Sequence, residues 1–261
     1  MPRYQLKSAA PYLRDLAIAP GASLPDEFPF NLPILQKGRL HLRFTKRITI
    51  LVGENGSGKS SLLEAIAAQA GFNLSGGSRD NFYGREVEEG QRTFARVLRL
   101  GWRPRIGTGY FLRAESFFNF SSHIDEVAEV DPVRAYAVYG GKSLHHRSHG
   151  ESFLALFEGR FGSVGLYLLD EPEAALSPSR QFAFLRVLRA LDRAGRAQII
   201  MATHSPILMA YPDAQLLYFE GGSIREIGYE DTAHFKVMRS FRADPARSLA
   251  DLFADNEKGG R

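Results

Sequence analysis

The sequence predicts an α/β fold with a mixed, mainly parallel core sheet. Three observations carry that prediction. Ile48–Val52 and Gln198–Met201 lie in runs with almost no polar interruption, as strands buried on both faces do. Segments of helical character alternate with these strands. A Gly-Gly pair at 221–222 separates two short strand-like runs, which adds an antiparallel hairpin.

Taken in order, the first 38 residues read as Pro-rich and irregular. LHLRF (Leu40 to Phe44) alternates like a half-buried strand, and ITILV (Ile48 to Val52) is a buried one. A Gly-rich loop follows, then a helix through SSLLEAIAAQA, ended by Gly71. Residues 72–92 are Gly-rich and charged, as loops are. Thr93 to Leu100 fits strand or helix, with strand preferred for its apolar neighbours. A helix is expected around Ile124 to Val130, another over Glu151 to Phe161, and a buried strand over Val164 to Asp170. Ser177 reads as an N-cap with Pro178 at the first helical position, ahead of an amphipathic run to Leu191. QIIMATH (Gln198 to His204) is a further buried strand. Leu216–Glu220 and Ser223–Ile227 form the hairpin. The tail from Asp231 to Phe253 predicts two short helices, and the last eight residues are expected to fray.

Composition excludes several classes. The chain has 261 residues, 44% hydrophobic and 24% charged, so most of it has enough apolar material to fold. One domain over residues 1–261 is expected, with a helical subregion at about 72–162 and a helical tail at about 231–261. No apolar run approaches the roughly 20 residues that span a bilayer, and the N-terminus has no signal-peptide core, so no membrane insertion is expected. Cysteine is absent, which removes disulfides, thiol catalysis and Cys-ligated zinc and fits a cytoplasmic setting. A formal charge of +4 is too small to argue for nucleic acid by itself.

GENGSGKS (Gly53 to Ser60) matches the G-x-x-x-x-G-K-[ST] pattern between a buried strand and a helix. Gly53, Gly56 and Gly58 let the backbone curl so that the N–H groups of Glu54, Asn55, Ser57 and their neighbours through Ser61 face one centre. Lys59 is placed to reach β- and γ-phosphates, and Ser60 to offer a hydroxyl to Mg²⁺. LYLLDEPE (Leu166 to Glu173) ends a buried strand with two carboxylates, at the edge where open α/β sheets bind ligands. Asp170 is expected to help hold Mg²⁺ and Glu171 to orient and deprotonate a water. His204 ends another strand, placed to bond a γ-phosphate.

These residues resemble the ABC-type ATPase superfamily of P-loop NTPases. GENGSGKS is similar to its Walker A motif and LYLLDE to its Walker B motif. RSHGES (Arg147 to Ser152) resembles a divergent signature motif, in which Ser148 and Gly150 match the usual LSGGQ while His149 and Glu151 depart from it. EAALSP (Glu173 to Pro178) resembles the D-loop and His204 the switch histidine. The spacings of 88, 22 and 34 residues along Ser60, Ser148, Asp170 and His204 suit a compact ATPase head. GYFLRAESF (Gly109 to Phe117), SHGES and LLDEPEAALSP together are also similar to small stand-alone bacterial predicted AAA/ABC-like ATPases. The resemblance implies ATP and Mg²⁺, hydrolysis with Lys59, Glu171 and His204 in the catalytic roles, and an ATP-dependent homodimer. In that dimer Ser148 and Gly150 of one subunit meet the nucleotide of the other. The family's Q-loop Gln is missing; Glu115 is the substitute the sequence offers as a metal ligand, with Arg113 beside it for phosphate. A soluble clamp working with a protein or nucleic-acid partner is expected, with the nucleotide-binding subunit of a membrane transporter as the alternative.

Three other constellations have plainer readings. His145, His146 and His149 read as a polar loop rather than a metal site. Arg92, Arg96, Arg99, Arg103 and Arg105 alternate with Phe94, Val97, Leu98 and Trp102, as on the solvated face of a packed element. Tyr12, Phe28 and Phe30 precede the phosphate loop and suit core packing as well as stacking on adenine; Phe117, Phe118 and Phe120 read as core.

Overall fold

The structure, a computed structural model, describes residues 9–36, 40–74, 76–77, 89–113, 125, 128–129, 136, 149–160 and 164–258. Its centre is a six-stranded sheet. The apolar run at Ile48–Gly53 (β3) is buried at every position because both faces are covered. It pairs in parallel with Ala197–Ala202 (β7) on one side and Gln215–Glu220 (β8) on the other. Gly165–Asp170 (β6) and Gly109–Arg113 (β5) extend the parallel set, and Ser223–Ile227 (β9) closes the far edge antiparallel to β8. The order is β5-β6-β7-β3-β8-β9.

A second sheet of three antiparallel strands has the order β2-β1-β4: His41–Arg43 (β2), Leu13–Ile18 (β1) and Leu98–Trp102 (β4). Buried side chains of this sheet and of helix Lys59–Ala70 (α1) pack against one face of the large sheet. Helices His149–Arg160 (α3) and Pro178–Ala194 (α4) cover the other face, where Phe153, Phe157 and Phe184 meet ring to ring.

Two buried glutamines fasten the sheets together. Gln198 on β7 accepts from the N–H groups of Tyr12 and Leu13 and donates to the Leu13 carbonyl. Gln215 on β8 accepts from Thr45 N–H and donates to the Arg43 carbonyl.

The elements expected at β2, β3, α1, β6, α4, β7 and the hairpin are present. Gly71 ends α1 with φ +83°, donating its N–H to the Ala67 and Ala68 carbonyls. Ser177 and Pro178 start α4 as expected, but the Ser177 hydroxyl makes no cap bond and meets the Ser179 hydroxyl at 3.1 Å.

Three expectations need correcting. The N-terminal segment is not wholly irregular, because β1 pairs on both sides between two later strands. Thr93–Leu100 is split: Glu89–Val97 is helix (α2) and the strand begins at Leu98, so that Phe94 and Ala95 are buried against the α1 side. The tail does not fray at Phe253. After Ala233–Ala243 (α6), helix α7 runs from Pro245 to Lys258, since no breaker interrupts it before Gly259. The short helix α5 spans Pro206–Met209. The helix expected around Ile124–Val130 and the aromatics Phe117, Phe118 and Phe120 lie mostly or wholly outside the described residues. Arg92, Arg96, Arg99, Arg103 and Arg105 are all exposed while Phe94 and Leu98 are buried, as a solvated face requires.

Candidate functional site

The carboxyl ends of β3, β6 and β7 converge on one edge of the sheet. From β3 the chain enters the glycine loop. Gly53 has φ +155°, and a Cβ there would sit 2.7 Å from the Phe219 carbonyl oxygen. Gly58 has φ +95°, and its Cβ would press on Ile34 at 3.0 Å. Glycine is therefore required at Gly53 by backbone angle and by space, and favoured at Gly58 by backbone angle. Glu54, Asn55, Gly56 and Ser57 form the turn, and Lys59, Ser60 and Ser61 open α1. The loop is a concave set of backbone N–H groups at a helix start, the usual form of an anion cradle.

Lys59 is buried, with Nζ donating to the carbonyls of Gly53 at 2.8 Å and Glu54 at 2.9 Å. Burial lowers its pKa, and the carboxylates of Glu171, Asp170, Glu54 and Glu173 oppose that shift. Ser57 Oγ is enclosed with no hydrogen-bond partner among the described residues.

Ser60 Oγ donates to Asp170 Oδ1 at 2.9 Å, joining residues 110 apart in sequence. Arg113 ends β5 beside them. Its guanidinium is 2.7 Å from Glu64 and 3.9 Å from Asp170, against two buried carboxylates. Glu171 follows Asp170 with φ +48° and ψ +53°, a left-handed conformation uncommon outside glycine. Its N–H donates to the Ala202 carbonyl, and its carboxylate is 3.9 Å from His204 Nε2. His204 lies two residues past β7 rather than within it. Burial lowers its pKa and Lys59 adds to the effect, which favours the neutral imidazole.

Glu173 holds the His204 backbone in place by accepting its N–H at 2.6 Å. Burial raises the Glu173 pKa, against hydrogen bonds from Thr203 and His204 that lower it, and its second oxygen has no partner among the described residues. Ser205 caps α5 by accepting from Leu208 N–H, and its hydroxyl donates to Gln181, whose amide donates to the Leu176 carbonyl. A continuous set of bonds therefore ties the segment after β6 to the segment after β7. The sequence reading does not assign these roles to Glu173, Gln181 and Ser205; Ser205-Pro206 is a local capping signal that could have found the last of them.

The structure thus brings together Lys59, Ser60, Asp170, Glu171 and His204. Gly150 lies in the first turn of α3, buried, and a Cβ there would meet Arg180 at 2.6 Å. Arg180, near the start of α4, pairs with Glu151 at 2.8 Å. Ser148, Glu115, His145 and His146 lie outside the described residues. Of the aromatics before the loop, Tyr12 and Phe30 are buried, whereas Phe28 is 56% exposed. A cavity of about 480 Å³ flanks the loop, lined by Pro33, Ile34, Asn55, Tyr218 and Gly222 among others.

A strand, a glycine loop and a helix bearing the Lys-Ser pair, set beside an acidic strand end, define a P-loop NTPase. An AAA-domain family model matches residues 32–122, and a second AAA-domain model, whose description names the AbiEii toxin and a type IV TA system, matches residues 152–210. The phosphonates import ATP-binding protein PhnC 2 of Pseudomonas savastanoi pv. phaseolicola is 30% identical over 63% of this chain and 55% of its own length. The hemin import ATP-binding protein HmuV of Streptomyces coelicolor is 31% identical over 67% of this chain and 65% of its own. The chain thus spans about half to two thirds of the length of these relatives. The SMC head domain from Thermotoga maritima superimposes with a TM-score of 0.45 and 20% identity over 83% of this chain and 98% of that one. By its family models and relatives the chain is similar to AAA/ABC-type P-loop ATPases.

Proposed function

We propose that the chain binds ATP with Mg²⁺ and hydrolyses it, acting as one head of a nucleotide-gated homodimer in the cytoplasm. The observation that carries this reading is the convergence of three pairs at one sheet edge: the cradle with Lys59, Ser60 with Asp170, and Glu171 with His204 at 3.9 Å. The donor set fits Mg²⁺, since a hydroxyl and a carboxylate are hard oxygen ligands already side by side. Ser60 and Asp170 would hold Mg²⁺, with Glu115 proposed as a further ligand, and the ion would supply positive charge against the phosphate oxygens.

The triphosphate lies in the loop from Gly53 to Ser61, where Lys59 exchanges its two carbonyl contacts for phosphate oxygens. The cavity beside Asn55 and Tyr218 has the size for the nucleoside. Glu171 takes a proton from the water attacking the γ-phosphorus. The bond to the bridging oxygen breaks, and ADP and phosphate form. Neutral His204 donates to a γ-phosphate oxygen. In the dimer, Ser148 and the Gly150 N–H of the facing subunit donate to the same phosphate, where charge develops. Loss of that phosphate releases the clamp.

The work the clamp does is assigned to a soluble protein or nucleic-acid partner, on the missing Q-loop Gln and the Glu at position 151. A transporter subunit is the second reading, favoured by the import proteins among the relatives. No helix among the described residues is long and apolar enough to cross a membrane. Expression with the neighbouring genes separates the two: recovery in a detergent-extracted membrane complex supports the transporter and overturns the soluble clamp.

The hydrolysis itself is tested by calorimetry and phosphate release on the wild type and Glu171→Gln. The variant should bind ATP as the wild type does and lose about 10²–10⁴-fold in turnover, the worth of a general base. Full turnover in Glu171→Gln would remove Glu171 from the mechanism.

A further inference from the structure

The parallel strands have a second edge, and it carries a cavity of its own. The glycine loop lies where β3 ends at Gly53; the start of β3 at Ile48 is roughly 17 Å away and borders a cavity of about 450 Å³. The loop before β3 supplies Lys46 and Arg47 to its wall. The last turns of α4 supply Arg189, Asp192 and Arg193, and the turn before β8 supplies Asp213.

The two acidic residues differ in how far they are used. Asp192 is 12% exposed and is held by Arg47 Nε at 2.7 Å and by the hydroxyl of buried Tyr211 at 3.0 Å. Burial pushes that hydroxyl up to about 12, so it stays a neutral donor and adds no negative charge. Arg189 stands 3.7 Å from Asp192 and 3.8 Å from Asp213, which is 70% exposed. Lys46 and Arg193 are exposed and carry no ion pair among the described residues. Arg196 is likewise exposed, and its carbonyl accepts from the Tyr12 hydroxyl, next to Ala10 and Pro11 of the cavity wall. Arg186, exposed and without an ion pair, shares one stripe of α4 with Arg189 and Arg193, about 10 Å long. These six basic and two acidic residues hold the whole formal excess of a chain with 33 basic and 29 acidic residues. The remainder is balanced, so a polyanion is drawn to this end.

We propose that this basic edge binds the phosphate backbone of duplex nucleic acid. The inference deepens the clamp reading by naming its partner and rests on that reading only for the role of the contact; the contact itself needs no nucleotide. Arg and Lys donors suit phosphate oxygens, Arg in bidentate fashion. One strand of a duplex presents about three phosphates over about 10 Å of axis, the length of the Arg stripe. Among the described residues the cavity wall holds no aromatic side chain, so the bases of a single strand find nothing to stack on.

The test is fluorescence anisotropy of a labelled random-sequence DNA duplex of about 20 base pairs, with the full chain and no ATP. The wild type should bind, and log affinity should fall with log salt at a slope of about −3 to −4, from the four cations without ion pairs. Replacing Lys46, Arg193 and Arg196 by Ala should cost about tenfold or more in affinity at about 50 mM salt and flatten the slope by about 2 to 3. Melting temperature and ATP turnover should not change. Asp213→Asn keeps a residue type that tolerates φ +66° and removes a negative charge from the cavity; it should tighten binding severalfold, which misfolding cannot imitate. No duplex binding by the wild type would overturn the inference. So would affinity unchanged by the triple variant or by Asp213→Asn, or a loss produced equally by Arg92→Ala, Arg96→Ala and Arg99→Ala together. Tighter binding of a single strand of the same length would overturn the duplex assignment, and displacement of the duplex by millimolar inorganic phosphate at constant ionic strength would make this a small-anion site. If the wild type hydrolyses no ATP, the ATPase reading fails by itself and the anisotropy still decides this one.

Discussion

Glu171 occupies a left-handed backbone conformation at φ +48° immediately after a buried strand. A non-glycine residue there costs roughly 1–3 kcal/mol and persists where the surroundings over-determine it. Here the Glu171 N–H is bonded to the Ala202 carbonyl, and the next acidic residue, Glu173, is bonded to the His204 N–H. The site thus keeps two carboxylates with different tasks. Glu171 is half exposed and faces the histidine; Glu173 is partly buried and braces the backbone that carries it. Burial raises the Glu173 pKa, so the folded state prefers its protonated form. Below the ordinary glutamate range both folded and unfolded chains hold the proton and the shift has no effect. As pH rises through that range the unfolded chain ionises first, and the wild type loses stability until the folded pKa is passed. Glu173→Gln keeps an acceptor for His204 and cannot ionise. Its melting temperature should match the wild type near about pH 4 and exceed it near about pH 7. A constant gap across that range would assign the shift elsewhere. Lys59→Ala leaves the strand and helix that flank it intact but removes the cation from the cradle. Calorimetry should find ATP affinity lowered by about tenfold or more with an unchanged melting temperature, as for a charge-assisted bond to phosphate. The residues of short motifs, Lys59, Ser60, Asp170, Glu171 and His204, are readable in the sequence because each is fixed by neighbours along the chain. Glu173 and Gln181 take their roles from partners 31 and 24 residues away in sequence, which no local pattern encodes.

At the scale of elements, the site depends on how the small antiparallel sheet is fastened to the large one. Gln198 makes three buried bonds to the backbone of Tyr12 and Leu13, all within 2.7–2.8 Å. Removing it leaves two N–H groups and a carbonyl enclosed without partners, each costing about 1–3 kcal/mol. Gln198→Ala should therefore lower the melting temperature by several degrees, more than Gln36→Ala, whose single bond is at the surface. Equal melting of the two variants would mean that β1 is held by its apolar contacts alone. The same fastening explains why β1 was not legible. Its strand character comes from pairing with β2 and β4 on either side, whereas its local sequence is framed by Pro11 and Pro20. The α2–β4 junction failed for a related reason. Phe94, Val97 and Leu98 suit either a helix face or a strand, and the choice was made by burial of Phe94 and Ala95 beside α1. Elements with a continuous apolar run and a glycine or proline boundary, such as β3, α1 and α4, were legible nearly to the residue.

For the whole molecule, the exposed sheet edge is the argument for a dimer. Glu171 is open on one side, and Gly150 lies in the first turn of α3 close to Ala175 and Arg180, so the start of α3 and the segment leading into α4 share one surface. A second copy laid against that surface would complete each site with groups the first lacks. On the proposed function, ATP would bridge the copies while its γ-phosphate survives. Blocking hydrolysis without blocking binding should hold them together. The most direct measurement is the mass of Glu171→Gln by light scattering at saturating ATP and Mg²⁺. The account predicts a dimer that reverts to monomer when ADP replaces ATP, and that fails to form when Ser148→Arg is added. A monomer with ATP demonstrably bound, or a dimer indifferent to both the nucleotide and Ser148→Arg, would contradict it.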